Sequence, residues 1–270
     1  MQRVITAAAL SALVWVVVKK LDAGYFVGLG ALLTAVAAWE AYRMLEARGS
    51  RPFRALGSAA CAAMALSFAN LVPGLDPLVP LLVVSAAATV AAMARRATPE
   101  AMLETASSTV FPVVLLGLPL GYGVALRLVP GENGPDLILL LVVCVAFGDT
   151  AAYYVGRTFG RRRIAPTISP RKSWEGAAGA VLGSLAGGAL AQIWFFQRLG
   201  WMHAAAIAVI VCVSGILGDL AESMMKRATG VKDSSAVLPG HGGVFDRLDS
   251  LLFATPLLYY YWRVFLEGTI

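Results

Sequence analysis

Long apolar segments recur along this chain, and they constrain its fold more than any other feature of the sequence. Of the 270 residues, 59% are hydrophobic and 14% are charged, whereas a soluble domain carries about 25% charged residues. A hydrocarbon core about 30 Å thick requires roughly 20 helical residues per crossing. Apolar segments near that length lie at 4–18, 23–39, 55–72, 77–94, 106–128, 134–156, 174–197, 200–222 and 248–266.

The apolar segments are continuous and do not alternate with period two, which excludes the strands of a closed barrel. We therefore predict an all-α fold, a polytopic transmembrane helical bundle with about nine spans. The first segment has a charged start but no small-residue cleavage site, so we expect a retained span there. Cys61, Cys144 and Cys212 lie inside apolar segments without a CxxC pattern, and we expect them to be buried packing residues.

The distribution of Lys and Arg over the loops predicts the orientation of the bundle. With nine spans, seventeen of the 22 basic residues fall on one side, and the other side receives Lys19, Lys20, Arg127, Arg198 and Arg263. The positive-inside rule places the richer side in the cytoplasm, although Lys19 and Lys20 violate it. We expect a multi-pass protein of the inner (cell) membrane. The formal net charge of +6 then requires no nucleic-acid partner.

Carboxylates lie at the predicted cytoplasmic ends of three spans, where their burial is costly and therefore indicates function. Helical spacing places Asp219, Glu222, Ser223 and Lys226 on one face. Carboxylates gathered from separate helices hold hard cations such as Mg²⁺. The alternative is simple ion pairing, for example of Asp219 with Lys226. We predict a metal site formed by Asp149, Asp219, Asp246 and Asp249.

The polar segment 223–250 separates two apolar runs and combines cations with a glycine pair at 242 and 243. Cations and free backbone amides suit a polyphosphate, although the glycines alone would fit a tight turn. Near the predicted start of the seventh span, Lys172, Ser173 and Glu175 lie where a helix N-terminus favours anions. For His241, a phosphate contact and a structural hydrogen bond remain equally open. Neither a Walker-type loop, an HExxH motif nor a GxSxG motif with a partner histidine occurs.

The segment "SMMKRATGVKDSSAVLPGHGGVFDRLDS" resembles the signature of the phosphatidate cytidylyltransferases, the CDP-diacylglycerol synthases. Its matching positions are Ser223, Lys226, Arg227, Lys232, Asp233, His241, Gly242, Gly243, Asp246, Arg247 and Asp249. "GDTAAYYVGRTFGRRR" and "ISPRKSWEG" are similar to upstream blocks of the same family, with Asp149, Lys172, Ser173 and Glu175 in place. The resemblance is specific over roughly 145–250, and before that only the many-helix character matches.

The resemblance implies a Mg²⁺-dependent membrane enzyme, usually a homodimer, that converts CTP and phosphatidic acid to CDP-diacylglycerol and pyrophosphate. It leaves room for a second, monovalent cation. Asp246 and Asp219 would hold the metal, supported by Asp249 and Asp149, and Lys226 and Arg247 would act on the phosphates with them. The implied nucleotide and phosphate contacts come from Ser223, Arg227, Lys232, Asp233, His241, Gly242, Gly243, Lys172, Ser173 and Glu175.

The same reading divides the chain into a scaffold of helices at 1–130 and a catalytic region with cytoplasmic loops at 131–270. Two other functions stay open. A CTP-dependent polyprenol kinase would transfer the γ-phosphate to its lipid. A cation-coupled transporter would use intramembrane aspartates, but the aspartates here lie at one membrane face rather than at the midplane, where transporter sites lie.

Overall fold

The computed structural model describes residues 14–70, 75–95, 97–231, 234–235 and 242–268. Most of these residues are helical, and the fold class predicted from the apolar segments is confirmed. In the described residues, five helices are long and apolar enough to cross a membrane, so the predicted number of about nine spans is not confirmed. The chain is a helical membrane protein.

The helices follow one another with short connections, after a helical stretch at 14–19. Two of them are extended by π-helical turns at Val113–Gly117 and Trp262–Leu266, and a 3₁₀ turn lies at Gln197–Leu199. The α-helices are α1 (Ala23–Ala47), α2 (Arg54–Ser67), α3 (Leu78–Met93), α4 (Pro99–Pro112), α5 (Leu118–Arg127), α6 (Asn133–Phe159), α7 (Trp174–Trp194), α8 (Trp201–Thr229), α9 (Phe245–Leu248) and α10 (Leu251–Tyr261).

α4 and α5 form one continuous crossing, Pro99–Arg127, because the π-helical turn joins them without a break. Pro112 precedes this turn and lacks the backbone N–H that a regular helix would use, so the local hydrogen-bond pattern widens. The predicted span at 106–128 is thus longer than expected by two turns at its start. Thr98 caps that start and accepts a hydrogen bond from the Ala101 amide at 3.4 Å.

α6 and α7 pack closely because glycines on α7 recur at every fourth residue. A Cβ at Gly179 would overlap Val155, and a Cβ at Gly183 would overlap the carbonyl of Phe147. Small residues at this spacing let two helix backbones approach each other within a membrane. Ser184 adds a buried hydrogen bond across the same contact, donating to the Cys144 carbonyl at 2.9 Å.

The end of α8 packs against the turn between α9 and α10, and this contact positions two of the predicted metal ligands. Gly218 lies so close to the Asp249 carbonyl that a side chain would not fit between them. Asp219 follows Gly218 directly, so the close approach brings Asp219 and Asp249 to the same place. Residues 249 and 250 form a turn, whereas the sequence predicted one uninterrupted helix from 248.

A two-stranded antiparallel hairpin joins α6 to α7 and was not predicted. Its strands are β1 (Arg163–Ala165) and β2 (Ser169–Ser173), with Arg163 opposite Ser173 and Ala165 opposite Ser169. Ser173 ends β2 and also caps α7, accepting a hydrogen bond from the Gly176 amide at 3.1 Å. The predicted helix start at this position is therefore confirmed.

At one end of the bundle, charged residues form ion pairs with one another. The sequence assigned this end to the non-cytoplasmic side of the membrane. Asp136 is 1% exposed and lies 2.6 Å from both Lys19 Nζ and Arg198 Nη2. Lys19 also pairs with Glu132 at 2.9 Å. The segments that carry Lys19, Asp136 and Arg198 thus meet at one end of the bundle, the end that the positive-inside count placed outside the cytoplasm. Lys19, which violates the positive-inside rule, is an ion-pair partner there.

Two large clusters of buried side chains fill the bundle. One is centred on α6, α8 and α10, and the other joins α1 and α2 to Phe245 of α9. Cys61, Cys144 and Cys212 are buried and unpaired, as predicted. The second cluster matters for the site, because it anchors the segment that follows the glycine pair against the N-terminal helices.

Candidate active site

The structure describes the signature segment in three parts: the end of α8 as far as Val231, then Ser234 and Ser235, and then the chain from Gly242 onward. α8 ends at Thr229, and the following Gly230 adopts the left-handed conformation (φ 73°) that terminates many helices. Ser234 and Ser235 are described, whereas Lys232, Asp233 and His241 lie outside the described residues. Their predicted roles in nucleotide binding therefore remain predictions.

Three carboxylates from two elements form an acidic cluster, which we define as Asp219, Glu222 and Asp249. One oxygen of each lies within 4.8 Å of an oxygen of the others. Asp219 and Glu222 are one helical turn apart on α8, and Asp249 comes from the turn before α10. Oxygen donors converging from separate elements are what a hard divalent cation requires, so the residues present fit a metal ion of this class.

The acidic cluster agrees only partly with the predicted metal ligands. Asp219 and Asp249 belong to it as expected, and Glu222 takes the third place. The sequence had placed Glu222 on the correct face of α8 without assigning it to the metal. Asp149 is exposed on α6, well before the helix ends at Phe159, and its charge interacts with those of Asp219, Lys172 and Arg247. The elements that carry these four residues, α6, β2, α8 and α9, therefore face one site.

Asp246 lies beside the acidic cluster, and each of its carboxylate oxygens has separate partners. Oδ1 lies 3.1 Å from Lys226 Nζ, and Oδ2 accepts hydrogen bonds from the amides of Gly243 at 2.8 Å and Ser234 at 3.3 Å. Burial opposes the charge, but the hydrogen bonds with Glu222, Gly243 and Lys226 outweigh it and lower the pKa of Asp246. The group is therefore ionised at neutral pH.

Two lysines balance the charge of these carboxylates. Lys226 Nζ lies 2.7 Å from Glu222 Oε1, so it joins the acidic cluster to Asp246. Lys172, from β2, lies 2.6 Å from Asp219 Oδ2 and 3.4 Å from the carbonyl of Ile216. Both lysines therefore form ion pairs, although Asp219 pairs with Lys172 and not with the predicted Lys226. These pairs coexist with a cluster able to hold a cation.

Several predicted phosphate-binding residues make contacts that shape the hairpin. Glu175 accepts hydrogen bonds from the amides of Arg161 and Arg162 at 3.0 and 3.2 Å. Arg227 donates to the Ile168 carbonyl at 3.2 Å, which ties the hairpin to α8. Ser173 caps α7. These contacts hold Lys172 beside the acidic cluster.

Two further predicted residues lie on the site. Ser223 donates a hydrogen bond to Asp219 Oδ1 at 3.3 Å. Arg247 has an exposed side chain on α9, one residue after Asp246.

The glycine pair allows the backbone to fold tightly around Asp246. Gly242 has a φ of 76°, a left-handed conformation that strains other residues. A Cβ at Gly242 would overlap the Asp246 carboxylate, and a Cβ at Gly243 would overlap Ser234 Oγ and Glu40 Oε2. The tight-turn reading of the glycines therefore applies, and the turn serves to bring amides to Asp246.

Glu40, on α1, is a residue of the site that the sequence did not indicate. Its side chain is 2% exposed and accepts hydrogen bonds from the hydroxyls of Ser234 and Ser235 and from the amides of Val244 and Phe245. The four arginines that follow it within residues 43–54 favour an ordinary positive-inside anchor for this segment. A carboxylate at the end of an apolar run was the available signal.

Comparisons with known proteins show which family the chain resembles. The model of the Cytidylyltransferase family matches residues 1–265. A phosphatidate cytidylyltransferase of Mycobacterium bovis is 38% identical over 154 residues, covering 57% of this chain and 49% of that protein. Proteins of the same name from Brucella suis and Haemophilus influenzae are 40% identical over 148 residues and 42% identical over 137 residues. These alignments cover 54% and 48% of this chain, and 54% and 46% of the relatives.

The chain spans about half the length of the curated relatives it matches. The family match, by contrast, covers nearly the whole chain and includes every element of the site. The membrane helices, the acidic cluster and the signature segment all lie within it, and the chain therefore belongs to the cytidylyltransferase family.

Proposed function

We propose that this protein converts CTP and phosphatidic acid to CDP-diacylglycerol and pyrophosphate, as a step of phospholipid synthesis. The observation that carries the proposal is the acidic cluster with Asp246, Lys226 and Lys172 at one end of a membrane bundle. A soluble triphosphate and a lipid phosphate can meet only at such an edge. The name of the relatives, phosphatidate cytidylyltransferase, supports the same substrates.

The resident metal in this proposal is Mg²⁺, held by Asp219, Glu222 and Asp249 with Asp246 and Asp149 nearby. When bound, the ion would neutralise phosphate charge and make the α-phosphorus more electrophilic. Hard oxygen donors favour Mg²⁺ over softer metals. We retain the second, monovalent cation as part of the proposal, because more carboxylates face the site than one octahedral ion uses with its substrate phosphates.

The two lysines would change partners when substrates bind. Lys226 and Lys172 now balance carboxylates, and a cation in the acidic cluster would release them to contact phosphate oxygens. Arg247, Arg227 and Lys232 would neutralise the triphosphate and the departing pyrophosphate. We assign Ser223, Asp233, His241, Gly242, Gly243, Ser173 and Glu175 to nucleotide binding or to the support of the loops that bind it.

The reaction requires no general base from the protein. A phosphate oxygen of phosphatidic acid is already ionised and attacks the α-phosphorus of CTP. The bond from that phosphorus to the bridging oxygen of the β-phosphate breaks, and pyrophosphate leaves with the electron pair. The chain's residues have to align the two phosphates and balance their charge, which is the dominant requirement in phosphoryl-transfer chemistry.

The proposal places the site on the cytoplasmic side of the inner membrane, within a homodimer. The sorting of Lys and Arg supports the side, because the loops that carry few cations meet at the end marked by Asp136 and Lys19. Residues 131–270 supply the reacting groups and residues 1–130 the scaffold, with Glu40 as a contribution from the scaffold to the site.

The decisive experiment uses purified protein in lipid nanodiscs with Mg²⁺, phosphatidic acid and CTP labelled on either the α- or the γ-phosphate. We expect the α-label to enter the lipid, whereas γ-labelled CTP should leave the lipid unlabelled. Transfer of the γ-label would indicate a lipid kinase instead. Ion flux across sealed proteoliposomes without consumption of CTP would indicate a transporter, and either result would overturn the proposal.

A further inference from the structure

Glu40 makes the densest set of hydrogen bonds described for any carboxylate outside the acidic cluster. The hydroxyls of Ser234 and Ser235 donate at 3.0 and 2.5 Å, and the amides of Val244 and Phe245 donate at 3.1 and 2.9 Å. A carboxylate that is 2% exposed is costly unless its oxygens are satisfied in this way.

The two amide contacts make Glu40 a helix cap supplied by a distant part of the chain. Val244 occupies the N-cap position of α9, and no side chain of the local sequence caps this helix. The first amides of a helix need an acceptor. Glu40 supplies it from α1, more than two hundred residues earlier.

Glu40 and Asp246 hold the same loop from two sides. Ser234 donates its hydroxyl to Glu40 and its amide to Asp246 Oδ2. Within the glycine pair, Gly243 donates its amide to Asp246 at 2.8 Å. The next two amides, those of Val244 and Phe245, donate to Glu40. The chain before 236 and the chain after 241 are thus fixed to one another through two carboxylates.

We propose that Glu40 is a positioning residue that sets the direction of the Asp246 carboxylate, and through it the place of Lys226. This inference rests on the proposed function, since it concerns how the site binds a divalent cation and CTP. Glu40 is not a member of the acidic cluster, and its described partners are Ser234, Ser235, Val244 and Phe245. Its role follows from the geometry: if the amides of Val244 and Phe245 lose their acceptor, α9 can turn, and Asp246 turns with it.

The competing explanation is that Glu40 only fastens α1 to α9 and stabilises the fold. The two explanations differ in what they predict for folded protein. A purely structural role would lower the amount of folded protein and leave each folded molecule fully active. A positioning role would weaken divalent-ion binding and kcat in molecules that are folded.

The test compares Glu40→Gln, Glu40→Asp and the double variant Ser234→Ala/Ser235→Ala with Glu46→Gln as control. Glu46 lies on the same helix, is partly exposed and pairs with Arg54 at 2.6 Å away from the site. The readouts are thermal unfolding in detergent, Mn²⁺ binding followed by electron paramagnetic resonance, and kcat and KM for CTP at varied Mg²⁺ concentration.

For Glu40→Gln we expect folded protein with kcat reduced about 10- to 100-fold, the size expected from a misplacement of about 1 Å. Mn²⁺ binding should weaken severalfold, whereas KM for CTP at saturating Mg²⁺ should change less. Glu40→Asp, which keeps the charge, should recover part of the loss. Should Glu40→Gln fail to fold, Glu40→Asp carries the test, because its shorter side chain withdraws the acceptor oxygens from the amides of Val244 and Phe245.

Unchanged Mn²⁺ binding and kcat in folded Glu40→Gln, or in Glu40→Asp where Glu40→Gln fails to fold, would overturn the inference. So would a loss of activity that matches the loss of folded protein. The outcome is separable from the proposed function: if the unmodified protein transfers no α-label to phosphatidic acid, the proposed function fails, and the Mn²⁺ measurement still decides the role of Glu40.

Discussion

Asp246 joins the acidic cluster to the loop held by Glu40, because hydrogen-bond donors from both regions reach its two oxygens. Lys226 lies on one side, and the amides of Gly243 and Ser234 lie on the other. In Asp246→Asn, the new amide group must face one of these donors, and the negative charge is lost. We expect turnover to fall by a factor on the order of 100 or more, measured as α-label transferred to lipid.

Membrane insertion of Asp246→Asn should stay near that of the unmodified protein, since Asp246 lies outside the long apolar helices. Arg51→Ala is the control, because Arg51 is exposed and contacts Arg95 far from the acidic cluster. Near-normal turnover in Asp246→Asn would remove this residue from the site. A large loss in Arg51→Ala would mean that the site has been misplaced.

Gly243 is the position where the smallest change should disturb both carboxylates. A methyl group there would overlap Ser234 Oγ and Glu40 Oε2, and relieving such overlap costs about 1–3 kcal/mol. We expect Gly243→Ala to lower the free energy of unfolding by this amount and to reduce turnover together with divalent-ion affinity.

Gly28→Ala is the matched control for Gly243→Ala, because a Cβ at Gly28 has no neighbour within 4 Å. Within helix α1 this exchange should be neutral, or stabilising by up to about 1 kcal/mol. Equal effects of the two exchanges on thermal unfolding and on turnover would contradict the tight packing inferred around Gly243.

The residues of the site differ in how far the sequence could predict them. Asp219, Asp249 and Lys226 stand out because charged residues at the ends of apolar helices are rare. Glu40 also ends an apolar run, but the arginines that follow it made a surface anchor the simpler interpretation. Its burial depends on Val244 and Phe245, and no local pattern relates residues so far apart in the chain.

At the scale of elements, the apolar segments predicted most helices, and the misses have physical causes. The hairpin of β1 and β2 escaped prediction because its strands are short, rich in arginine and without alternating hydrophobic residues. The longer helix at Pro99–Arg127 has a polar first turn, which a hydropathy criterion excludes. Helix contacts were predictable only where small residues recur, as on α7.

Gly183→Val tests the contact between α6 and α7. A side chain at this position would overlap the Phe147 carbonyl and the Ala151 methyl group, so the two helices would have to separate. We expect thermal unfolding in detergent to report a loss of about 1–3 kcal/mol. Because α6 carries Asp149 and α7 follows Lys172, the folded fraction should also lose activity.

The neighbouring exchange Leu182→Val provides the comparison for Gly183→Val, since Leu182 is 69% exposed on the surface of the bundle. It alters the same helix without touching α6, and it should leave stability and turnover nearly unchanged. If Leu182→Val proved as harmful as Gly183→Val, the glycines would not be responsible for the close approach.

At the scale of the whole molecule, charge is divided between the two ends of the bundle. One end carries Asp136 with Lys19 and Arg198 in mutual ion pairs. The other carries the acidic cluster and the arginine-rich hairpin. α6 and α8 each run from the first end to the second. The membrane side of one end therefore determines the membrane side of the other.

This arrangement predicts which positions react with a membrane-impermeant thiol reagent. Thr167, in the hairpin turn, and Lys20, beside Lys19, are both exposed, and the three native cysteines are buried. We expect Thr167→Cys to be labelled only in inside-out vesicles and Lys20→Cys only in right-side-out vesicles. The unmodified protein should show little labelling in either preparation. Labelling of Thr167→Cys from the outside would place the acidic cluster away from cytoplasmic CTP, and a cytidylyltransferase reaction at this site would then have no source of its nucleotide.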